Sequence, residues 1–146
     1  MRIFRAMDTS ASGLTAERLR LDIIASNLAN ANTTRTPEGT PYRRRVPVFE
    51  ARGSDPVAQL VPFARVLDGV TGVRVAGIAT DPTPFKTKYD PGHPDADENG
   101  MVSMPNVDVV TEMVDMISAT RGYEANVTAI NAAKSMATRA LEIGRA

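Results

Sequence analysis

The sequence predicts an α+β fold: two long terminal α-helices forming an antiparallel, coiled-coil-like pair, with a small β-rich middle region between them. Three observations carry this. All ten prolines lie between Pro37 and Pro105. Proline lacks a backbone donor and its ring clashes with the preceding helical turn, so only the two flanks are free to form long helices. Both flanks carry apolar residues at helical spacing, whereas the middle holds short alternating stretches cut by proline and glycine turns. The expected division is 1–34 for the N-terminal helix, 35–104 for the β-rich region and 105–146 for the C-terminal helix.

The first flank, about Asp8 to Asn32, places Met7, Leu14, Leu21 and Leu28 seven residues apart. Ala11, Ile24, Ala25 and Ala31 widen that stripe, and Leu19 and Ile23 form a second face. A seven-residue period suits one helix lying along another. Asn27, Asn30 and Asn32 follow, poor interior helix formers that suit a helix end.

The middle contains three strand candidates, Tyr42–Glu50, Val70–Thr80 and Phe85–Tyr89. Pro47 marks the first as an edge strand, because proline cannot donate to a ladder on both sides. The stretches around Pro37, Pro82 and Pro91 read as turns.

The second flank opens on Pro105–Asn106, a stop followed by a candidate N-cap, with Asp108 and Glu112 where a helix dipole favours acids. A 4,3 spacing then runs Val109, Met113, Met116, Thr120, Tyr123, Val127, Ile130, Lys134, Ala137, Leu141. A neighbouring stripe holds Val107, Val110, Val114 and Ile117, then Ala133, Met136, Ala140 and Ile143. Such a helix would be about 55 Å long at 1.5 Å per residue, with Gly144 at its end. Pairing the two helices buries one stripe on each and leaves the Val107 and Leu19 faces bare. Bare apolar stripes mark interaction surfaces, so these faces are expected to be covered by copies of the chain or its relatives. An isolated copy is accordingly expected to have poorly ordered flanks.

Composition narrows the function classes. The 146 residues are 42% hydrophobic but only 5% aromatic, with no Trp, which is thin for one dense core. Seventeen basic residues balance seventeen acidic ones, whereas proteins that bind nucleic acid by neutralising phosphates carry a basic surface. With no cysteine, disulfides, thiolate metal sites and cysteine nucleophiles are excluded. No run reaches the roughly 18 apolar residues of a membrane span. Residues 1–15 lack a secretory h-region, so the chain is expected to be cytosolic or exported by a route needing no cleaved signal.

Few residues suggest site chemistry. Asp95, Asp97 and Asn99 before Gly100 imitate the start of an EF-hand loop, the basis of an alternative reading as a calcium-regulated binding module. The twelfth position is Asn106 rather than a bidentate Glu, and a plain turn fits better. His93, the single histidine, reads as a solvated loop residue, and no G-x-S-x-G elbow accompanies it. Gly69 to Gly72 lacks the ending of a phosphate loop. Arg43, Arg44 and Arg45 alternate faces on a strand and read as a solvated edge that discourages strand pairing. Gly122 is either a tolerated weak point or a place of close helix approach. No cofactor, metal, small-molecule substrate, nucleic acid or enzymatic activity is expected.

Two stretches carry a resemblance. Ser26-Asn-Leu-Ala-Asn-Ala-Asn-Thr33 resembles the N-terminal signature of flagellar rod and hook proteins. Met104-Pro-Asn-Val-Asp-Val-Val-Thr-Glu-Met113, continuing through Ser118-Ala-Thr-Arg-Gly-Tyr-Glu-Ala-Asn126, resembles their C-terminal signature. The resemblance implies an axial subunit of the bacterial flagellar basal body, crossing the periplasm, whose terminal helices line a hollow tube with the β region outside. It implies export through the flagellar type III apparatus. It further implies partnership with copies of itself and with rod proteins of the FlgB, FlgF, FlgG and FliE types. Asn27, Leu28, Asn30 and Asn32 match the first motif. Asn106, Val107, Asp108, Glu112, Met113, Arg121, Tyr123, Glu124 and Asn126 match the second. On this resemblance, with Met7, Leu14, Leu21, Met116, Ile117, Val127, Ile130 and Leu141 from the apolar stripes, they are assigned to helix ends and subunit packing.

Overall fold

The structure is a computed structural model that describes residues 2–52 and 72–144. The chain runs α1 (Arg2–Ala29), β1 (Arg45–Ala51), β2 (Val73–Thr80), β3 (Lys86–Tyr89), β4 (Met101–Met104) and α2 (Val109–Ile143). At 1.5 Å per residue, the 28-residue α1 is about 42 Å long and the 35-residue α2 about 52 Å. None of the described helices is long and apolar enough to cross a membrane.

Each flank becomes one helix, and the two lie against each other antiparallel. Gly13 faces Asn126, Glu17 faces Gly122, and Asn27 meets Glu112. The buried positions are Ala16, Ile23, Ile24 and Asn27 on α1 and Glu112, Ala119 and Ala133 on α2. Glu112, Ala119 and Ala133 are separated by multiples of seven, so the expected period is present. Its register is not the expected one. Met7, Leu14, Leu21 and Leu28 are only half-buried, and the inward positions Gly13, Arg20 and Asn27 each precede one of the leucines by one residue. The same offset separates exposed Met113 and Thr120 from buried Glu112 and Ala119. One residue turns a helix by about 100°, which moves a side chain off the seam. Hydrophobicity marked the greasiest face, and Ile24 of that stripe is buried beside Ile23. The residues that meet across the helices at Gly13–Asn126, Glu17–Gly122 and Asn27–Glu112, however, are small or polar. A Cβ on Gly13 would lie 2.9 Å from the Asn126 carboxamide, and one on Gly122 would lie 3.3 Å from the Glu17 carboxyl. Of the two readings of Gly122, close helix approach is the one observed.

The middle forms two separate antiparallel hairpins, β1–β2 and β3–β4. In the first, Val48 pairs Gly77 while Phe49 pairs Val75, so Ala76 is an extra residue that bulges the ladder. The sequence expectation for β2 began at Val70; residues 70 and 71 lie outside the described set, as does most of the Gly69–Gly72 stretch. Strand β4 was not anticipated, because Met101–Met104 is four residues long with weak alternation. It pairs with β3 from Lys86↔Met104 to Tyr89↔Met101 and closes the loop of residues 90–100. Gly100 ends that loop at φ +74°, in the left-handed region that favours glycine.

Two further expectations change. The N-cap of α2 is Asp108 rather than Asn106: its carboxylate accepts from the Thr111 N–H at 2.9 Å. Asn106 is drawn away because it is buried and bonded elsewhere. Val107, assigned to a bare face, is also buried. Gly144 does end α2, but at φ −77° with its N–H on the Ala140 carbonyl, an ordinary right-handed finish.

Candidate functional site: a buried polar joint and a bare helix face

The strongest constellation sits where the end of α1, the start of α2 and the base of the β1–β2 hairpin meet. Asn27 projects from the last turn of α1 and is 1% exposed. Its Nδ2 donates to the Arg45 carbonyl at 2.8 Å and to Glu112 Oε2 at 3.0 Å. Its Oδ1 accepts from the Arg45 N–H and the Tyr42 hydroxyl, both at 2.9 Å. Both donors and both acceptor positions of the carboxamide are used, and a flipped amide would set donor against donor. Asn27 therefore pairs with the outer edge of Arg45 as a neighbouring strand would. Fully satisfied polar burial of this kind specifies one arrangement of the three segments.

Asn106 plays a matching part on the other side. Its Oδ1 accepts from the Arg44 N–H at 2.8 Å, and its Nδ2 is shared among the Asp81 carbonyl and the Thr83 carbonyl and hydroxyl. The Arg44 carbonyl in turn accepts from the Asp81 N–H at 2.8 Å.

Glu112, in the first turn of α2, has no exposed surface. A buried carboxylate needs a cation and hydrogen bonds to offset lost hydration. Arg44 supplies the cation, with Nε donating to Glu112 Oε1 at 2.6 Å. The same guanidinium reaches Asp115 at 3.3 Å and Asp81 at 3.6 Å, and Arg20 approaches the other Asp115 oxygen at 3.4 Å. Burial works against the Arg44 charge, yet the bond to Glu112 and the surrounding carboxylates hold its pKa above the ordinary arginine value. The Asp81 carboxyl is held below its usual range, chiefly by the Thr83 N–H and hydroxyl, with Arg44 adding to the effect.

The expectation that Arg43–Arg45 form a solvated edge is thus overturned at Arg43 and Arg44, while Arg45 is exposed as expected. Arg44 is the cationic centre of the joint. Arg43 lies 4.3 Å over the Phe85 ring and donates to the Asp81 and Thr83 carbonyls. Arg45 sits 5.8 Å over Tyr42. Alternation separated their faces correctly but gave no sign of what each face meets, since Glu112 is 68 residues from Arg44.

The other candidates divide into three groups. Asn30 closes α1 locally, donating to the Ser26 carbonyl, and Asn32 is exposed. Met116, Val127 and Ile130 are half-buried along the helix pair. Met113, Ile117, Tyr123 and Leu141 are exposed. With Val109, Val110 and Val114 they give α2 an apolar face outside the seam: Val110 is 71% exposed, Val114 61% and Ile117 58%.

The carboxylates of the 95–100 loop are engaged internally. Asp95 accepts from the Thr34 hydroxyl at 2.8 Å and lies 3.7 Å from Arg35; Asp97 accepts from the N–H groups of Asn99 and Met101. The Nδ1 atom of His93 accepts from the Asp95 N–H. No group of three or more His, Asp or Glu among the described residues is placed to hold a metal ion.

Comparison with known proteins places these features in a family. Residues 7–35 match the family model described as flagella basal body rod protein, and residues 98–143 match flagellar basal body rod FlgEFG protein C-terminal. The matched segments hold Asn27, Asn106 and Glu112. Similar curated proteins include the flagellar basal-body rod protein FlgC of Borreliella burgdorferi, 50% identical over 98% of both chains. That of Bacillus subtilis is 43% identical over 99% of this chain and 100% of its own. That of Escherichia coli O157:H7 is 41% identical over the same shares. With such identity along nearly its whole length, the chain belongs to the FlgC family of flagellar basal-body rod proteins.

Proposed function

We propose that the chain is a structural subunit of the proximal rod of the flagellar basal body. Its terminal helices assemble into a hollow helical tube that transmits torque and forms the wall of the export channel. The observation that carries this reading is the bare apolar face of α2: the helix already packs on α1, with Glu112, Ala119 and Ala133 buried, yet Val110, Val114 and Ile117 are exposed. Apolar surface of this extent, on a helix already paired, is covered when subunits pack. The exposed methionines, Met113 and Met136, suit neighbours that are not identical, because the thioether chain adapts its shape.

On this reading residues 1–34 and 105–146 form the axial core, their pair coiled-coil-like, and residues 35–104 lie outside it. The partners are other copies and rod proteins of related types, and the subunit leaves the cytoplasm through the flagellar export apparatus without a cleaved signal. The function is mechanical and involves no catalytic group, metal or cofactor.

The test is the double variant Val114→Glu, Ile117→Glu. Both side chains are exposed, so the urea midpoint of the isolated subunit should move by less than about 0.5 kcal/mol equivalent. The subunit should still be secreted, but rods and motility should be lost. Normal rods built from this variant would refute the reading.

A further inference from the structure

Asn99-Gly100 is the one Asn-Gly pair in the chain, and Asn99 lies exposed in the 90–100 loop. That pair carries a reaction of its own. Glycine has no Cβ, so its backbone nitrogen can close on the side chain before it. Once the Gly100 nitrogen has given its proton to water, it can bond to Asn99 Cγ. The bond from Cγ to Nδ2 then breaks, ammonia leaves, and a cyclic imide remains. Water opens the imide at either carbonyl and leaves aspartate or its β-linked isomer. Water is the only co-reactant, and nothing is oxidised or reduced.

The fold holds that nitrogen back. The Gly100 N–H donates to the Asp97 carbonyl at 2.9 Å. The Asp97 carboxylate accepts from the N–H groups of the residues flanking Gly100, Asn99 and Met101, both at 2.8 Å. Asp97 also donates its N–H to the Met101 carbonyl at 2.9 Å, and the Asp90 N–H donates to the Gly100 carbonyl at 2.8 Å. Bonds to an ionised acceptor are the stronger kind, so the carboxylate is the main fastening. A Cβ on Gly100 would lie 3.0 Å from the Tyr89 ring and 3.1 Å from Pro91, so the backbone there has little room to swing. We propose that Asn99 is a self-modification site that Asp97 keeps closed while the loop is folded. When the loop opens, the freed Gly100 nitrogen reacts and a new carboxylate appears beside Glu98. The β-linked product also lengthens the backbone by a methylene inside a loop clamped by the Tyr89–Met101 pair. The loop then cannot regain its closed form, and Asp95, which accepts from the Thr34 hydroxyl beyond α1 at 2.8 Å, loses its support. The reaction thus marks copies that have spent time with the loop open, and it does not rest on the proposed function.

Peptide mass spectrometry of the full-length subunit kept in heavy-oxygen water reads the reaction, because each converted Asn99 gains one labelled oxygen. The folded parent should convert slowly, and the urea-unfolded parent at least about tenfold faster. Asp97→Ala should approach the unfolded rate. Asp97→Asn keeps an acceptor oxygen without the charge and should fall between Asp97→Ala and the folded parent. Asp97 is exposed, so both variants should keep the helical circular dichroism of the parent; loss of it would overturn the loop-local role. Equal rates in the folded and unfolded parent would overturn the proposal, as would an Asp97→Ala rate equal to that of the folded parent. An Asp97→Asn rate no lower than that of Asp97→Ala would trace the effect to charge alone and overturn it too. None of these outcomes bears on whether the α2 face binds neighbours, which the Glu double variant decides separately.

Discussion

Replacing Asn27 isolates the joint from the rest of the fold. Asn27→Ala removes four hydrogen bonds and leaves the Tyr42 hydroxyl, the Arg45 N–H and the Arg45 carbonyl without partners. Glu112 keeps Arg44. An unsatisfied buried polar group costs about 1–3 kcal/mol, and the low end applies here because Arg45 is close to solvent. Three such groups give about 3–5 kcal/mol, a large part of the roughly 5–15 kcal/mol that holds a domain. With a urea slope near 2 kcal/mol/M, the midpoint followed by circular dichroism should fall by about 1.5–2.5 M. The isosteric Asn27→Asp separates hydrogen bonding from shape. It keeps the acceptor oxygen but sets a carboxylate 3.0 Å from Glu112. The like charge raises the pKa of the introduced carboxyl in the folded state. A group with a raised folded pKa contributes stability below its unfolded value and loses it as pH rises through the folded one. The deficit of this variant should therefore be greatest at pH 7 and shrink as pH falls toward 5. An Asn27→Asp midpoint equal to the parent's at pH 7, or a deficit that does not change with pH, would refute the reasoning.

Other outcomes follow from the same geometry. Gly122→Ala should be neutral or stabilising by up to about 1 kcal/mol in the same assay, because alanine favours the helix and the partly exposed Glu17 side chain can move the few tenths of an ångström required. Asp108→Ala removes the α2 cap and should lower the midpoint at pH 7. The Asp108 carboxyl is held below its ordinary value by the Thr111 N–H and hydroxyl and by Lys86. Its contribution is therefore present above the usual aspartate pKa of about 3.9 and lost as pH falls through the lower folded value, so parent and variant should converge in acid. Hydrogen exchange of the free subunit should be fastest at the helix ends remote from the joint, where Phe4, Leu141 and Ile143 are exposed, and slowest near Asn27 and Glu112. Uniform protection along both helices would count against the joint as the anchor.

The architecture was legible because proline position and apolar spacing are local signals. The proline-free flanks became helices, Val70–Thr80 and Phe85–Tyr89 each contained a strand, and Tyr42–Glu50 held all of β1 but its last residue. Strand β4 was hidden because four residues show almost no periodicity and its pairing with β3 is made across the 90–100 loop. The seam register was misread for a physical reason: Leu14, Leu21 and Leu28 outrank Gly13, Arg20 and Asn27 in hydrophobicity, but close helix approach favours small side chains and the joint favours polar ones. The joint's members stood in the motifs Ser26–Thr33 and Met104–Met113, so Asn27, Asn106 and Glu112 were visible as a pattern. Arg44, the partner of Asn106 and Glu112, was not, because nothing local tells a half-buried arginine from a solvated one when its carboxylates come from another helix.

The claim on which the rest depends is that the outward α2 face is finished only by a neighbour. A side-chain-resolved electron-microscopy map of an isolated basal body containing this subunit tests it. Val110, Val114 and Ile117 should each touch apolar atoms of an adjoining chain; finding all three in water, with the subunit in place, would contradict the account.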